Sequence, residues 1–314
     1  MALRSEPQSQ PKKVWATVIT NLSYLPGLLT LQHSLALSQT KYPFVALYTP
    51  SFPQDGITAL QARGIRTLAV PAIKPKILSK TYEHDPRFAE TWNKLVVFSL
   101  EDHFERVVLL DGDMLVRKNM DELMDIPLDG EGERVFAASH ACACNPMQKA
   151  HYPAHLIPSN CAFTTQHSNP DLAQTVPAPN LAGVGMLNSG LLVVRPSRKA
   201  FSEIQTLLDI PEKVDSYIFP DQELLSEAFR SRWVPLPYVY NALKTMRPDN
   251  VHGAIWRDEE VKNVHYIFGV KPWQQEPPSV LNGVVGGDVL NGWWWVVNWD
   301  RQRVERERGI TDGH

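Results

Sequence analysis

The sequence predicts an α/β fold in which helices flank a mainly parallel central sheet. In the N-terminal part of the chain, short apolar and β-branched segments alternate with segments of helical periodicity. This alternation is typical of parallel sheets with helices on both faces. The apolar segment at 106–116, RVVLLDGDMLV, also carries two aspartates toward its end. Sheets of this class bind ligands at the carboxyl ends of their strands, so the pair predicts a functional site.

The first half of the chain supplies most of the predicted sheet. VWATVIT from Val14, YPFVALYT and IRTLAV have the composition of strands. LPGLLTLQHSLALSQ predicts a helix with Pro26 in its first turn, and QDGITALQARG predicts a helix that ends at Gly64. RFAETWNKLVVFSLEDH has helical periodicity and leads into the strand that carries the aspartates.

The second half is less regular. The segment between His140 and Gly185 is rich in proline and lacks periodicity, which is typical of a functional loop or lid. Order returns at VGMLNSGLLVVRP, which predicts a strand broken at Asn188-Ser189-Gly190. SRKAFSEIQTLLDI and FPDQELLSEAFRS then predict helices, and EVKNVHYIF predicts a strand.

The chain divides into three predicted parts. Residues 1–13 are polar, contain proline and predict a disordered leader. Residues 14–275 predict a single domain. Residues 276–314 contain NGWWWVVNWDRQRVERER, which predicts an aromatic helix packed on the domain, with a charged tail whose end lies in solvent.

Composition narrows the class of partner. The chain has 314 residues and a formal net charge of −3. Its sequence lacks a basic stripe of the kind that predicts nucleic-acid binding. An uninterrupted apolar run of about 18 residues is absent from the sequence, so we expect no membrane span. Three cysteines are too few for a disulfide framework, and a cytoplasmic setting is the expectation. The sequence leaves the oligomeric state open, with a homodimer as one option.

The motif HACAC raises the question of a zinc site. His140, Cys142, Cys144 and Cys161 contain the ligand types that zinc prefers. The Cys-x-Cys spacing, however, differs from the commoner two-residue knuckle, and no second pair follows. We therefore interpret the cysteines as small apolar residues near the end of a strand.

The two aspartates allow three interpretations. Asp111 and Asp113 alternate with Gly112, so in a strand both carboxylates would share one face. They could be structural, with one capping a turn and the other solvated. They could hold a divalent cation that also grips substrate phosphates. They could also form an aspartate-nucleophile phosphatase motif, although Leu115 stands where that motif usually has Thr or Val.

A distant stretch, HYIFGVKPW at 265–273, favours the second interpretation. Five motifs occur in one order along the chain, namely VITNLSY, LLDGDM, LNSGLLVV, PDQELL and HYIFGVKPW. Together they resemble the retaining glycosyltransferases of family 8, whose members include glycogenin and galactinol synthase. The resemblance implies a GT-A fold, which is a single Rossmann-like domain that binds a UDP-sugar donor, and a Mn²⁺ ion held by Asp-x-Asp.

The resemblance also implies roles for individual residues. Asp111, Asp113 and His265 correspond to the metal ligands. An imidazole ligand suits Mn²⁺ better than Mg²⁺. Lys271 corresponds to a phosphate-binding lysine, and Gly269 would let the backbone approach the same phosphate. This glycine follows the histidine by four residues here, rather than by three as in glycogenin.

Further roles follow along the predicted donor site. Thr20 and Asn21 also have the composition of a helix N-cap, and Lys94 could be a solvated helical lysine. Asp221 and Gln222 match the pair beside the anomeric carbon of the donor sugar, and the alternative is an acid that caps a helix and interacts with its dipole. The remaining contacts that the resemblance implies are Thr20, Asn21 and Tyr24 for uracil and ribose, Gly112 and Lys94 near the metal and sugar, and Asn188, Ser189 and Gly190 for the sugar.

We therefore expect a retaining, Mn²⁺-dependent hexosyltransferase. It would move galactose or glucose from a UDP-sugar to a small polyol or sugar, as galactinol synthase does. No tyrosine follows Tyr240-Asn241 over the next 24 residues, which argues against glycogenin-like self-glucosylation. A glycogenin-like enzyme that acts on a protein or glucan, and a non-catalytic UDP-sugar-binding protein, are the alternatives.

Overall fold

The structure is a computed structural model that describes residues 12–281 and 284–314. Residues 1–11 of the predicted leader lie outside the described residues, and Lys13 already begins the first strand. The main sheet has seven strands in the order β3-β2-β1-β4-β7-β6-β8. Its strands are β1 Lys13–Ile19, β2 Phe44–Tyr48, β3 Arg66–Ala69, β4 Arg106–Leu110, β6 Phe136–His140, β7 Leu187–Val194 and β8 Trp233–Pro235.

The register confirms the predicted mainly parallel α/β fold. Strands β1, β2, β3 and β4 run parallel to one another. Strand β7 is antiparallel to both β4 and β6, and β6 is parallel to β8. The N-terminal end of β7 therefore lies beside the carboxyl end of β4, and residues from both strands meet at one edge of the sheet.

The remaining strands of the described residues form two smaller sheets. One has the order β5-β10-β9, in which β10 is antiparallel to β5 and parallel to β9. The other is an antiparallel pair of strands. These strands are β5 Met114–Val116, β9 Ala242–Leu243, β10 Asn263–His265, β11 Val280–Leu281 and β12 Val284–Val285.

Six α-helices surround the sheets in the described part of the chain. They are α1 Leu25–Leu37, α2 Gln54–Ala62, α3 Arg198–Leu208, α4 Pro211–Ser216, α5 Pro220–Ala228 and α6 Val289–Glu307. None of the helices within residues 12–281 and 284–314 is both long and apolar enough to cross a bilayer.

The predicted helix at 87–103 is wrong in type. The chain forms 3₁₀ turns at Pro86–Ala89 and Thr91–Ser99 instead of an α-helix. Trp92, Val96 and Phe98 of this segment are fully buried. Apolar side chains on several sides of one segment fit a tightly wound element within the core better than an amphipathic surface helix.

The predicted strand at 106–116 is two strands in different sheets. Strand β4 ends at Leu110, Asp111-Gly112-Asp113 forms a turn, and β5 then pairs with β10. The two carboxylates are therefore brought together by a turn, not by the alternation of a continuous strand. Conversely, the strand break predicted at Asn188-Ser189-Gly190 is wrong, because these residues lie within the continuous strand β7.

Helix α6 packs on α1, where Thr30 Oγ1 donates to Asn298 Oδ1 at 3.0 Å. Trp294 is fully buried and packs beside Trp273. The predicted solvent exposure of the charged end is wrong in part, because Glu305 is buried and accepts two hydrogen bonds from the Arg63 guanidinium. Removing both charges from water is tolerable because they are paired and hydrogen-bonded.

Candidate active site

A cleft opens at the carboxyl edge of the main sheet, between the ends of β1 and β4 and the start of β7. Its floor is the Asp111-Gly112-Asp113 turn. The backbone N–H of Asp111 donates to the carbonyl of Gly190 at 2.8 Å, which ties this turn to β7. The strand order reverses next to β1, and α/β sheets bind ligands at such a point.

The three predicted metal ligands converge at this floor. His265 ends strand β10, and its Nε2 lies 3.4 Å from Asp113 Oδ1 and 3.7 Å from Asp111 Oδ2. One donor atom from each residue lies within 4.8 Å of the others. Two carboxylate oxygens and an imidazole nitrogen form a donor set that suits a divalent cation such as Mn²⁺. The residues therefore fit a metal that leaves other positions free for substrate.

Two lysines neutralise the two carboxylates. Lys94 Nζ donates to Asp111 at 2.7 Å, and Lys271 Nζ donates to Asp113 and to the Tyr266 carbonyl. Burial opposes ionisation of Asp113, but Lys271 and His265 outweigh it and hold the pKa of that carboxyl well below its usual range. Burial raises the pKa of Asp111, against the attraction of Lys94. A bound cation would favour the ionised form of both carboxyls.

A chain of amides orients the histidine. Asn241 Oδ1 accepts from the Nδ1–H of His265 at 2.9 Å, which orients the ring so that Nε2 faces the aspartates. Asn241 in turn donates to Asn188 Oδ1 at 2.8 Å, and Asn188 donates to Gln222 Oε1 at 2.8 Å. Asn241 is fully buried. His265 and Gln222 are thus linked through two asparagines.

The absence of a side chain at Gly190 leaves room for the imidazole of His265. A Cβ at this position would lie 2.3 Å from Cε1 and 2.7 Å from Nδ1 of His265. Both distances are far below van der Waals contact, and the imidazole is held in place by the hydrogen bond from its Nδ1 to Asn241. The glycine is therefore required by the close approach of the ring.

Asp221 lines the same cleft as the three predicted metal ligands. It lies in the first turn of α5 and is 2% exposed, yet its Oδ2 has no hydrogen-bond partner among the described residues. Lys94 Nζ lies 3.7 Å away and also contacts Asp111. A buried carboxylate oxygen that lacks a hydrogen bond is costly unless a ligand completes its environment. The arrangement therefore indicates a place for a polar or cationic substrate group.

The opposite end of the cleft follows β1. Asn21 accepts from the backbone N–H of Ser23, so its predicted role as an N-cap is confirmed. Tyr24 packs edge-on against Trp273, and burial together with the Asp113 charge raises its pKa to about 12. Its phenol is therefore neutral at physiological pH. Thr20 also lines this end.

The structure brings together nearly all of the residues that the sequence singled out. Lys271 is buried behind Asp113, and a Cβ added at the exposed Gly269 would meet no atom within 4 Å, so neither residue lines the cleft. The predicted residues that line it are Thr20, Asn21, Tyr24, Lys94, Asp111, Gly112, Asp113, Asn188, Ser189, Gly190, Asp221, Gln222 and His265.

The sequence predicted one wall of the cleft only in part. This wall comes from the 3₁₀ segment near Phe88, for which no role was predicted, and from the irregular segment that follows β6, which was predicted to be a functional loop or lid without any of its lining residues being assigned. Asn241 was also missed as the partner of His265, because the two residues belong to different segments of the chain. The wall residues are Arg87, Phe88, Glu90, Thr91, Cys142, Asn145, Pro146, Tyr152 and Leu156.

The sequence was compared with models of known protein families. The sequence model of glycosyl transferase family 8 matches residues 17–276, which is most of the chain. The chain belongs to glycosyl transferase family 8. The predicted resemblance is therefore confirmed, and the protein is a glycosyltransferase.

Curated relatives within this family include galactinol synthases. The chain is 27% identical to galactinol synthase 2 of Arabidopsis thaliana over 313 residues, which covers 96% of this chain and 86% of that protein. It is also 27% identical to galactinol synthase 1 of Ajuga reptans over 310 residues, with 96% and 85% covered.

Solved structures support the fold. The galactosyltransferase LgtC, solved with donor and acceptor sugar analogues, matches with a TM-score of 0.57 at 17% identity, over 95% of this chain and all of that one. The glycosyltransferase GlyE of Streptococcus pneumoniae TIGR4 matches with a TM-score of 0.55 at 18% identity, over 96% and 65%. The predicted GT-A fold is confirmed.

Proposed function

We propose that the protein transfers a hexose from a UDP-sugar to a small polyol or sugar acceptor, with retention of configuration and dependence on Mn²⁺. The observation that carries this proposal is the convergence of Asp111, Asp113 and His265 opposite Asp221 in one cleft. Family membership and the similarity to galactinol synthases support the reaction class and the type of acceptor.

In this proposal the nucleotide lies along the carboxyl end of β1. Thr20 and Asn21 contact the uridine, and Tyr24 forms an apolar surface beside it, since its phenol stays neutral. Asp111, Asp113 and His265 would hold the metal ion. When bound, Mn²⁺ would neutralise the diphosphate and stabilise it as a leaving group.

Lys94 links the two halves of the cleft. Burial favours its neutral form, but Asp111 and Asp221 outweigh this effect and raise its pKa, so the ammonium stays charged. It lies between the predicted metal site and the carboxylate of Asp221. In this position it can donate to a sugar hydroxyl or to a phosphate oxygen while it offsets the repulsion between the two carboxylates.

Asp221 and Gln222 lie where the donor sugar would react. Asn188 donates to Gln222 Oε1, which fixes the amide so that its NH₂ group remains free to donate to substrate. The Asp221 oxygen that lacks a hydrogen bond can stabilise positive charge that develops at the anomeric carbon. We favour attack on the same face as the departing phosphate, with these two residues as positioning and electrostatic groups.

A self-glucosylating, glycogenin-like reaction is less well supported. Tyr240 is the tyrosine of the YN turn, and its hydroxyl donates to Glu122 at 2.8 Å. The next tyrosine, Tyr266, is fully buried and donates to the Leu290 carbonyl. Neither has the free hydroxyl that an internal acceptor would need.

A substrate screen tests the proposal. Purified protein is incubated with Mn²⁺ and either UDP-galactose or UDP-glucose, with myo-inositol, glycerol or simple sugars as acceptors, and products are identified by mass spectrometry. We expect one donor and a polyol acceptor to give a product whose anomeric configuration, read by NMR, matches that of the donor. A product of inverted configuration, or binding of both donors without transfer or hydrolysis, would contradict the proposal.

A further inference from the structure

A second cluster of metal-binding side chains lies outside the catalytic floor. Cys142, Cys144, Cys161 and His252 each place one ligand atom within 4.8 Å of the others. Cys161 and His252 are fully buried, and the other two cysteines are half-buried. From the sequence these cysteines were interpreted as small apolar residues near the end of a strand, whereas in the structure all three sulfurs converge on one imidazole.

The distances have the form of a four-coordinate site. His252 Nε2 lies 3.4 Å from the sulfur of Cys142, 3.2 Å from that of Cys144 and 3.4 Å from that of Cys161. A tetrahedral zinc ion with ordinary Zn–S and Zn–N bond lengths separates each sulfur from the nitrogen by about 3.6 Å. The observed distances are close to this value, and they are nearly equal to one another.

Hydrogen bonding within the protein does not account for this arrangement. A neutral imidazole offers one ring nitrogen as an acceptor, so three thiols cannot each donate a full hydrogen bond to Nε2. A disulfide would use two of the sulfurs and would leave the third facing the ring, and all three cysteines are free thiols here. One cation at the centre would satisfy all four groups.

The surroundings match those of a metal-bound histidine and thiolate. The second ring nitrogen of His252, Nδ1, lies 2.9 Å from Nε2 of His167, which can accept its proton and fix the tautomer. The backbone N–H of Ala143 points at the sulfur of Cys161 at 3.4 Å. Phe163 packs edge-on against the His252 ring and excludes water on that side.

We propose that these three cysteines and His252 bind a structural Zn²⁺ ion. Three thiolates and one imidazole in a closed tetrahedral set are the ligands of structural zinc sites, and they are too soft for the Mn²⁺ proposed at the aspartates. His140, the histidine adjacent to the cysteines in sequence, is not a ligand. Its Nε2 contacts the carbonyls of Ala178 and Pro179 instead.

The position of the four side chains indicates that the proposed ion connects segments that are distant in the chain. Cys142 and Cys144 follow β6, Cys161 lies at the junction of two 3₁₀ turns, and His252 belongs to the loop that precedes β10. The ion joins the irregular segment between 140 and 185 to the segment that leads to His265. Cys142 also lines the cleft. A segment with little regular structure is thereby held in place as a wall of the substrate site.

Metal analysis tests this inference without reference to catalysis. Wild-type protein and variants are dialysed against EDTA, and bound zinc is measured by inductively coupled plasma mass spectrometry. We expect about one zinc per chain in the wild type, as for a structural site, and a loss of at least about tenfold in Cys161→Ser and His252→Gln. His140→Gln and Asp113→Asn are the matched controls, and both should retain zinc.

A second readout covers the case in which the cysteine or histidine variants fail to fold. Asp113→Asn protein is produced with Co²⁺ in place of zinc, and its absorption spectrum is recorded. We expect intense thiolate-to-cobalt charge transfer and the d–d bands of a tetrahedral ion. Protein without zinc or this spectrum, zinc that persists in Cys161→Ser, or a disulfide found by non-reducing mass spectrometry would each overturn the inference. The result does not depend on whether the transferase activity is found.

Discussion

A Cβ atom placed on Gly190 would lie 2.3 Å from Cε1 of His265. The proposed sugar-binding motif in β7 and the histidine at the end of β10 are therefore packed directly against each other. The same histidine is held by Asn241, which also contacts Asn188. The proposed donor-sugar contacts and the metal ligand form one packed unit, and a small change in either should affect the other.

Gly190→Ala tests this packing. The added methyl group cannot fit beside the imidazole, so we expect His265 to rotate away and Mn²⁺-dependent turnover to fall by at least about 100-fold. Activity is measured as UDP released from UDP-galactose and UDP-glucose. Gly292→Ala in α6 is the matched control, since its Cβ would lie 3.4 Å from the nearest atom, which is ordinary contact. Equal activity in the two variants would contradict the packing argument.

Asn241→Ala tests the orientation of His265. The variant loses the acceptor for Nδ1–H, and partners of this kind change metal affinity by about 10- to 100-fold. We expect the Mn²⁺ concentration for half-maximal activity to rise by that factor, with much of the turnover restored at saturating Mn²⁺. Asn119→Ala, at an exposed position, should behave as the wild type. An unchanged Mn²⁺ requirement in Asn241→Ala would remove the orienting role.

Asp221→Asn tests the proposed electrostatic role of the Asp221 carboxylate, one oxygen of which lacks a hydrogen bond among the described residues. We expect kcat to fall by about 10²- to 10³-fold, the usual effect of losing one electrostatic stabiliser, with little change in UDP affinity. Steady-state kinetics and calorimetric titration of UDP with Mn²⁺ separate the two quantities. Asp209→Asn serves as the control, because Asp209 is an exposed carboxylate paired with Lys76. A loss of UDP binding that accounts for the whole decrease would instead assign Asp221 to nucleotide binding.

The ion pair between Arg63 and Asp312, near the C-terminus, predicts that the stability of the protein depends on pH. Two hydrogen bonds from the Arg63 guanidinium lower the pKa of Asp312 to about 2, from an ordinary value of 3.8. The unfolded chain therefore takes up this proton first as the pH falls. The stabilisation is fully present above about pH 4 and is lost as the pH falls toward about 2.

Asp312→Asn should remove this dependence. Urea unfolding at about pH 5 and about pH 3 gives the free energy of unfolding for both proteins. We expect the wild type to lose more stability than the variant over this interval. The opposite order would show that Asp312 does not keep its pairing with Arg63 in the folded protein.

Local sequence patterns were enough to predict most strands of the main sheet and the pair of aspartates at the floor of the cleft. Strands β1, β2 and β3 have simple β-branched composition, and Asp111 and Asp113 stand at the end of an apolar segment. The predicted role of His265 as their neighbour came from the family resemblance, and the structure places it there. The distance between them in sequence is too large for any periodicity to reveal their contact.

Contacts between segments that are distant in the chain could not be predicted from the sequence when neither segment has a periodic pattern. Nothing in the spacing of the three cysteines points to His252, which lies between 91 and 110 residues away from them. The turn that separates β4 from β5 was also missed, because Met114 and Leu115 are as apolar as the strand before them. Only the pairing of β5 with β10 distinguishes the two strands, and that pairing is set by tertiary structure.

The most direct test of the proposed activity is a crystal of the protein grown with Mn²⁺ and UDP, with anomalous scattering measured for manganese. We expect one strong anomalous peak within coordinating distance of Asp111, Asp113 and His265, in contact with the diphosphate. Bound UDP with the manganese peak elsewhere, or with no peak at these three residues, would contradict the proposed metal site.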